Sequence, residues 1–220
     1  MPTHQSLSGA SDDELLQRMV ATHSERFGES FWAFFAAAVA PAMPPRPTIL
    51  DLGCGPGLFL RDLSERWPAA NLYGYDVTPA MLAYAAHLSY GGAKPVLGPH
   101  DVTTQPLPHA AATVDLVSMS SVLHVIDEPL PVLSEIRRVL SPHGVFVLHD
   151  WIRQPLSAYL AWRREYLQEP EGSPRGFRLF GVHNKYTAED WRWLFATARF
   201  AVRHESQLRA SHRIFVAAPL

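Results

Sequence analysis

A short apolar run, Thr48-Ile49-Leu50-Asp51-Leu52, ends abruptly in Gly53-Cys54-Gly55-Pro56-Gly57, and a helix-forming stretch from Phe59 to Arg66 follows at once. This strand, glycine loop and helix constrain the possible folds more than any other segment. Glycine lets the main chain turn sharply and approach another group where a side chain would collide. A strand feeding a helix through such a loop is the opening unit of a parallel α/β sheet. The alternation continues: β-favouring runs recur at Asn71 to Tyr75, near Pro95 to Leu97, and at Thr113 to Met119 and Gly144 to His149, with helical segments at Pro79 to Leu88 and Leu130 to Leu140. The expectation is a doubly wound α/β fold whose parallel sheet is covered on both faces. Arg199 to Glu205 and Ile214 to Ala218 are β-like and separated by a short polar segment. They predict a closing antiparallel pair, which brings the mostly parallel sheet to seven strands.

Ahead of this core, Leu15, Leu16, Met19, Val20 and Phe27 recur at helical spacing behind a Ser11-Asp12 cap. A second helix is expected from Ser30 to Ala40, stopping before Pro41, with Pro44, Pro45 and Pro47 as a stiff connector. One domain over residues 1–220 accommodates everything: 1–43 as an N-terminal helical lid, 48–150 as the core, 151–186 as an insert, and 187–220 as a closing helix and strands. With 47% hydrophobic and 18% charged residues, the composition is that of a globular protein. A net charge of −2 with scattered Lys and Arg argues against nucleic acid as a partner. The longest apolar stretch, Phe31 to Ala40, is about half of the roughly 20 residues a membrane span needs, so no membrane association is expected. A lone cysteine and an N-terminus without signal-peptide character point to a reducing cytoplasm.

Two carboxylates add chemistry to the loop. Asp76 lies just beyond the second strand, 19 residues after Gly57, where it can accept hydrogen bonds from both hydroxyls of a ribose. Asp101-Val102 follows the third, where a carboxylate can take a proton from an exocyclic amine and a backbone amide can pair with a ring nitrogen. Together these positions describe an adenosine site. A dinucleotide fingerprint wants a third small residue where Leu58 stands, and a phosphate-binding loop needs a Lys that does not follow here.

The segments "ILDLGCGPG", "LYGYDVTPAMLAYA", "HDVTTQPLP", "VDLVSMSSVLHVI" and "EIRRVLSPHGVFVLHD", in that order, resemble the class I S-adenosylmethionine (SAM) dependent methyltransferases, over about Thr48 to Asp150. The resemblance implies a Rossmann-like methyltransferase fold, SAM as cofactor and S-adenosylhomocysteine as product. It puts Asp51, Gly53, Cys54, Gly55 and Gly57 around the methionine part of SAM and Asp76 on the ribose. Val77 and Met81 would flank the adenine, Asp101 and Val102 would read its edge, and Ser118 and Met119 would line the path to the acceptor. Ser118-Met119-Ser120-Ser121 departs from the Asn- or Asp-Pro-Pro-aromatic segment of the DNA amino-methylating branch, and Ser118 replaces the acidic ligand of the metal-dependent catechol branch. No metal is expected.

Beyond the fifth strand, Asp150-Trp151 opens onto the side where parallel sheets bind ligands. The insert is rich in aromatics, which suits a flat or apolar small molecule. Trp151, Tyr159, Trp162, His183, Asn184 and Tyr186 are the candidate acceptor contacts. His124 and His149, at the ends of the fourth and fifth strands, are the catalytic candidates, able to take a proton from a hydroxyl or align a ring nitrogen. The expected activity is N- or O-methylation of an aromatic or natural-product-like acceptor. The alternative is a SAM-binding regulator or non-catalytic subunit. A homodimer is compatible with either.

Overall fold

The computed structural model describes residues 3–220, so Met1 and Pro2 of the expected lid lie outside the described residues. One seven-stranded sheet organises the chain: β1 (Thr48–Leu52), β2 (Asn71–Asp76), β3 (Val96–Pro99), β4 (Val114–Ser120), β5 (Leu140–Trp151), β6 (Phe200–Arg209) and β7 (His212–Pro219). Their order is β3-β2-β1-β4-β5-β7-β6. β1 to β5 are mutually parallel, and β7 runs antiparallel to both β5 and β6. This is the mostly parallel, doubly wound α/β fold with its closing antiparallel pair that the sequence predicts. The order reverses between β1 and β4, and such a switch point opens a crevice beyond the strands' carboxyl ends.

Ten helices are described: α1 (His4–Ser8), α2 (Asp12–Ala21), α3 (His23–Arg26), α4 (Glu29–Ala38), α5 (Leu58–Arg66), α6 (Pro79–Ala86), α7 (Pro129–Val139), α8 (Leu156–Leu167), α9 (Pro174–His183) and α10 (Ala188–Thr197). Successive strand residues divide between the two faces. Ile49, Leu116, Val145, Val147 and Ile214 pack with Phe31 and Phe35 of α4 and Phe59 and Leu63 of α5. Leu50, Val117, Met119, Phe146 and Phe215 pack with Leu133 and Ile136 of α7 and Trp191 and Phe195 of α10.

Three local differences from the sequence reading have physical causes. The predicted helix from Asp12 to Phe27 is two helices, because Thr22 Oγ1 donates back to the Arg18 carbonyl at 2.8 Å and the chain leaves α-geometry at that residue. Ser11 does cap α2, in a reciprocal capping box with Glu14. α4, although within the segment assigned to the lid, packs into the sheet's core as a core-facing helix, with Phe31 and Phe35 fully buried; each such ring is worth about 1.5–3 kcal/mol of burial. The polar segment between the last two strands is itself strand, closed by a tight turn at Ala210-Ser211, and Glu205 there pairs with Arg192 and Arg213 on its outer face. The insert folds as α8 and α9.

Candidate active site

The glycine loop is fastened to the end of β2. Tyr75 accepts at its carbonyl from Gly53 N (2.7 Å) and Cys54 N (3.0 Å), and one Asp76 oxygen accepts from Gly55 N at 2.8 Å. The other Asp76 oxygen accepts from Thr78 N, also at 2.8 Å. A carboxylate has about four acceptor positions, so Asp76, which lines the main cavity, retains capacity for a ligand's hydroxyls. Burial raises its pKa against these hydrogen bonds.

Gly53 and Gly55 adopt φ of +70° and +53°, and both line the same cavity. A Cβ on Gly53 would stand 2.4 Å from Val122 Cγ2, and one on Gly55 would stand 2.6 Å from Met19 Cε. The loop is therefore a side-chain-free cradle roofed by α2. Val77, Met81 and Val102 add apolar wall beyond Asp76, and Met119 leads out past β4. An acidic group at a ribose position, an apolar slot and a bare main-chain cradle fit an adenosine joined to an amino acid.

The remaining predicted cofactor residues sit behind this wall. Asp51 is buried and accepts from Ser118 Oγ at 2.7 Å; burial pushes its carboxyl up to about 7 against that bond. Cys54 is buried beneath the loop, where burial holds its thiol protonated. Gly57 starts α5 with φ +74° against Ala85 and Tyr90. Asp101 caps its own turn at Thr103.

The cavity continues from Ser120 and Ser121 to a chamber bounded by Trp151, Trp162, Leu179 and His183. Ser121 has φ +56°, a strained conformation for a serine. His183 stacks on Trp151 with centroids 4.0 Å apart, and its Nδ1 meets Tyr159 Oη at 2.8 Å. Arg163 NH1 donates to the same oxygen at 2.8 Å and is itself clamped by Glu169. Since Arg163 can only donate, Tyr159 spends its proton on His183 Nδ1, and a neutral His183 carries its own proton on Nε2. In that form Nε2 is a donor rather than a base.

Tyr159, Asn184 and Tyr186 do not line the cavity. Tyr159 orients His183; Asn184 ties Gln154 N to the Phe180 carbonyl; Tyr186 packs on Trp191. His124 and His149 are also set back from the wall. His124 Nδ1 donates to the fully buried Asp150 at 2.7 Å, and Asp150 also receives the His124 and Trp151 amides. His149 lies among Phe27, Phe31 and His212, and burial, aided by the charge of Arg26, lowers its pKa to about 3. His212, which does reach the cavity, is held well below its ordinary value by burial, then by His149 and the arginines. Neither imidazole is charged at neutral pH.

Residue-by-residue reading missed Arg18, Met19, Thr22 and Arg26, which face the cavity from α2 and α3, and Arg209 on β6. Arg18, Met19 and Thr22 fall within one turn at the end of α2, Thr22 at spacings of four and three from the other two, a signal present in the 12–27 periodicity, whereas Arg26 lies past the break at Thr22. Arg209 carried none.

Residues 50–148 match the family model described as a methyltransferase domain. The chain is 33% identical over 109 residues to a malonyl-[acyl-carrier protein] O-methyltransferase of Hahella chejuensis, covering 49% of this chain and 38% of that protein. It is 31% identical over 127 residues to a trans-aconitate 2-methyltransferase of Pseudomonas aeruginosa, covering 54% and 43%. The plantazolicin methyltransferase BpumL, solved with a desmethyl-plantazolicin analogue and S-adenosylhomocysteine, superposes with a TM-score of 0.73 at 15% identity, over 98% of this chain and 94% of that one. Residues 50–148 are a class I SAM-dependent methyltransferase domain. The chain spans less than half the length of these two curated relatives.

Proposed function

We propose that this methyltransferase transfers the methyl group of SAM to a small molecule held between the N-terminal helices and the 151–186 insert. The observation that carries the reading is one continuous cavity, running from Asp76 and the bare glycine cradle past Met119 and Ser121 to Trp151 and His183. SAM, when bound, supplies a methyl group already activated on a sulfonium. Asp76 would take the ribose, Val77, Met81 and Val102 the base, and Gly53 and Gly55 the amino-acid part. α1 to α3 act as a lid that excludes water, with Met19 covering Gly55. Trp151 and Trp162, whose rings lie nearly perpendicular at 83°, give the acceptor an apolar corner beside His183.

Among the described residues, neither imidazole at the Trp151 end of the cavity is tuned as a base: burial depresses His212, and Tyr159 commits His183 Nδ1 to accepting. Efficient proton abstraction needs a pKa near the working pH. Transfer therefore rests on positioning, and the acceptor atom is one that is nucleophilic without deprotonation, such as a neutral amine, a ring nitrogen or an ionised acid. The relatives named for malonyl-acyl-carrier protein and trans-aconitate, and the azole peptide bound to BpumL, are consistent with such acceptors. Calorimetry with S-adenosylhomocysteine, followed by transfer of radiolabelled methyl from SAM to a panel of amines, azoles, acids and alcohols, tests the proposal. Micromolar-range binding with turnover on one of the first three classes is expected. No binding, or turnover confined to alcohols, would refute it.

A further inference from the structure

Arg26, at the end of α3, and Arg209, at the end of β6, come together on the acceptor side of the cavity although 183 positions separate them. Their surroundings do not neutralise them. Burial lowers the pKa of both, the charge of Arg209 lowers that of Arg26 further, and among the described residues Glu25 is the carboxylate that opposes the shift for both. Glu25 is 52% exposed and lies 3.8 Å from Arg209, beyond hydrogen-bonding distance. Two guanidinium groups and one solvated carboxylate leave one positive charge in excess. Arg26 makes one long contact, from NH2 to the Met19 carbonyl at 3.4 Å, while its Nε is buried with no hydrogen-bond partner among the described residues. A buried charged donor left without an acceptor is costly, and here it lies on a cavity wall.

This cation pair stands apart from the cofactor end. Arg26 and Arg209 both act on His149 of β5 and His212 of β7, one and two strands beyond β4, whereas the glycine cradle follows β1. With strands spaced about 4.8 Å apart, β1 and β5 are separated by roughly 10 Å. The charge therefore faces the acceptor chamber, beside Trp162 and Tyr166.

We infer that the acceptor carries a carboxylate, and that Arg26 and Arg209 bind it and select for it. The excess positive charge of the pair matches an anion, and the planar guanidinium fork matches the planar carboxylate. The inference deepens the proposed methyl transfer and rests on it.

The probes are benzoate, benzamide and phenyl phosphate, titrated by calorimetry into the full chain saturated with S-adenosylhomocysteine. Benzoate should bind at least tenfold more tightly than benzamide, and Arg26→Gln and Arg209→Gln should each weaken benzoate about tenfold while leaving S-adenosylhomocysteine affinity within twofold. Arg209→Lys should retain part of the benzoate affinity, because it keeps the charge and loses the fork. Arg209→Gln is the safer fold, being on an edge strand. Equal binding of benzoate and benzamide, or benzoate affinity unaffected by Arg209→Gln, overturns the inference. Tighter binding of phenyl phosphate than benzoate overturns the carboxylate assignment. A loss of cofactor affinity in Arg26→Gln would mean that Arg26 serves the amino acid of SAM instead. If the wild-type chain fails to bind S-adenosylhomocysteine at all, the methyl-transfer reading itself fails, a result separable from all of these.

Discussion

Glu169→Gln isolates a buried ion pair within the insert. Arg163 is 2% exposed and Glu169 15% exposed, and the two are joined by both guanidinium nitrogens Nε and NH2. Through NH1 the same Arg163 holds Tyr159, which orients His183. Removing one partner of a buried pair costs about 3–5 kcal/mol because the other charge is stranded. Partial exposure of Glu169 and the retained amide reduce this to about 2–3 kcal/mol. For a domain of this size each kcal/mol shifts Tm by about 2–4 °C, so scanning calorimetry near pH 7.5 should show a drop of roughly 4–12 °C. Burial opposes ionisation of Glu169, but the hydrogen bonds and charge of Arg163 prevail and hold its pKa below the ordinary 4.5. A depressed carboxyl stabilises the fold fully above its unfolded value and loses that contribution as pH falls through the folded one. The difference between wild type and variant should accordingly be full at neutral pH and shrink in acid, below about pH 4.5. S-adenosylhomocysteine affinity should stay within twofold, since the pair lies on the acceptor side. Equal Tm values at neutral pH, or a difference that persists undiminished in acid, would show that the pair does not support the insert.

Three further outcomes follow from the cofactor end. Gly53→Ala combines a left-handed backbone costing about 1–2 kcal/mol with a Cβ 2.4 Å from Val122 Cγ2; calorimetry should show S-adenosylhomocysteine affinity reduced more than tenfold, and a change below threefold contradicts the cradle. Asp76→Ala should lose about 1.5–3 kcal/mol of that affinity, as charged hydrogen bonds disappear and Gly55 N loses its anchor, while an unchanged dissociation constant would place the ribose elsewhere. Turnover should survive an excess of chelator; activity abolished by it and restored by magnesium would overturn the metal-free reading.

Local signals made the cofactor half readable. The run from Thr48 to Gly57 and the acid at Asp76 depend on neighbours within a few residues, and the structure joins the loop to Asp76 on one cavity wall. The acceptor half depends on long-range pairing. Arg163 in a run of Trp162, Arg163, Arg164 and Glu165 reads as a solvated helix residue; its burial is decided by Glu169 one loop away and Tyr159 one turn earlier. His124 reads as a residue at the mouth of the site, but Asp150, 26 positions on, draws it into the interior. Asn184 and Tyr186 were expected at the acceptor because the insert's aromatics were treated as one wall; packing on Trp191 and the bonds to Gln154 and Phe180 instead commit them to the scaffold.

α2 carries Met19 over Gly55 yet contributes no fully buried side chain, whereas α4, just past Gly28, is anchored by Phe31 and Phe35. A helix docked through half-buried residues undocks at small cost. In the proposed function the nucleoside lies beneath it, and its exit would be timed by the helix as much as by hydrogen bonds to Asp76. A substitution that made α2 adhere more firmly, distant from every reacting atom, would raise apparent cofactor affinity and slow the whole catalytic cycle together.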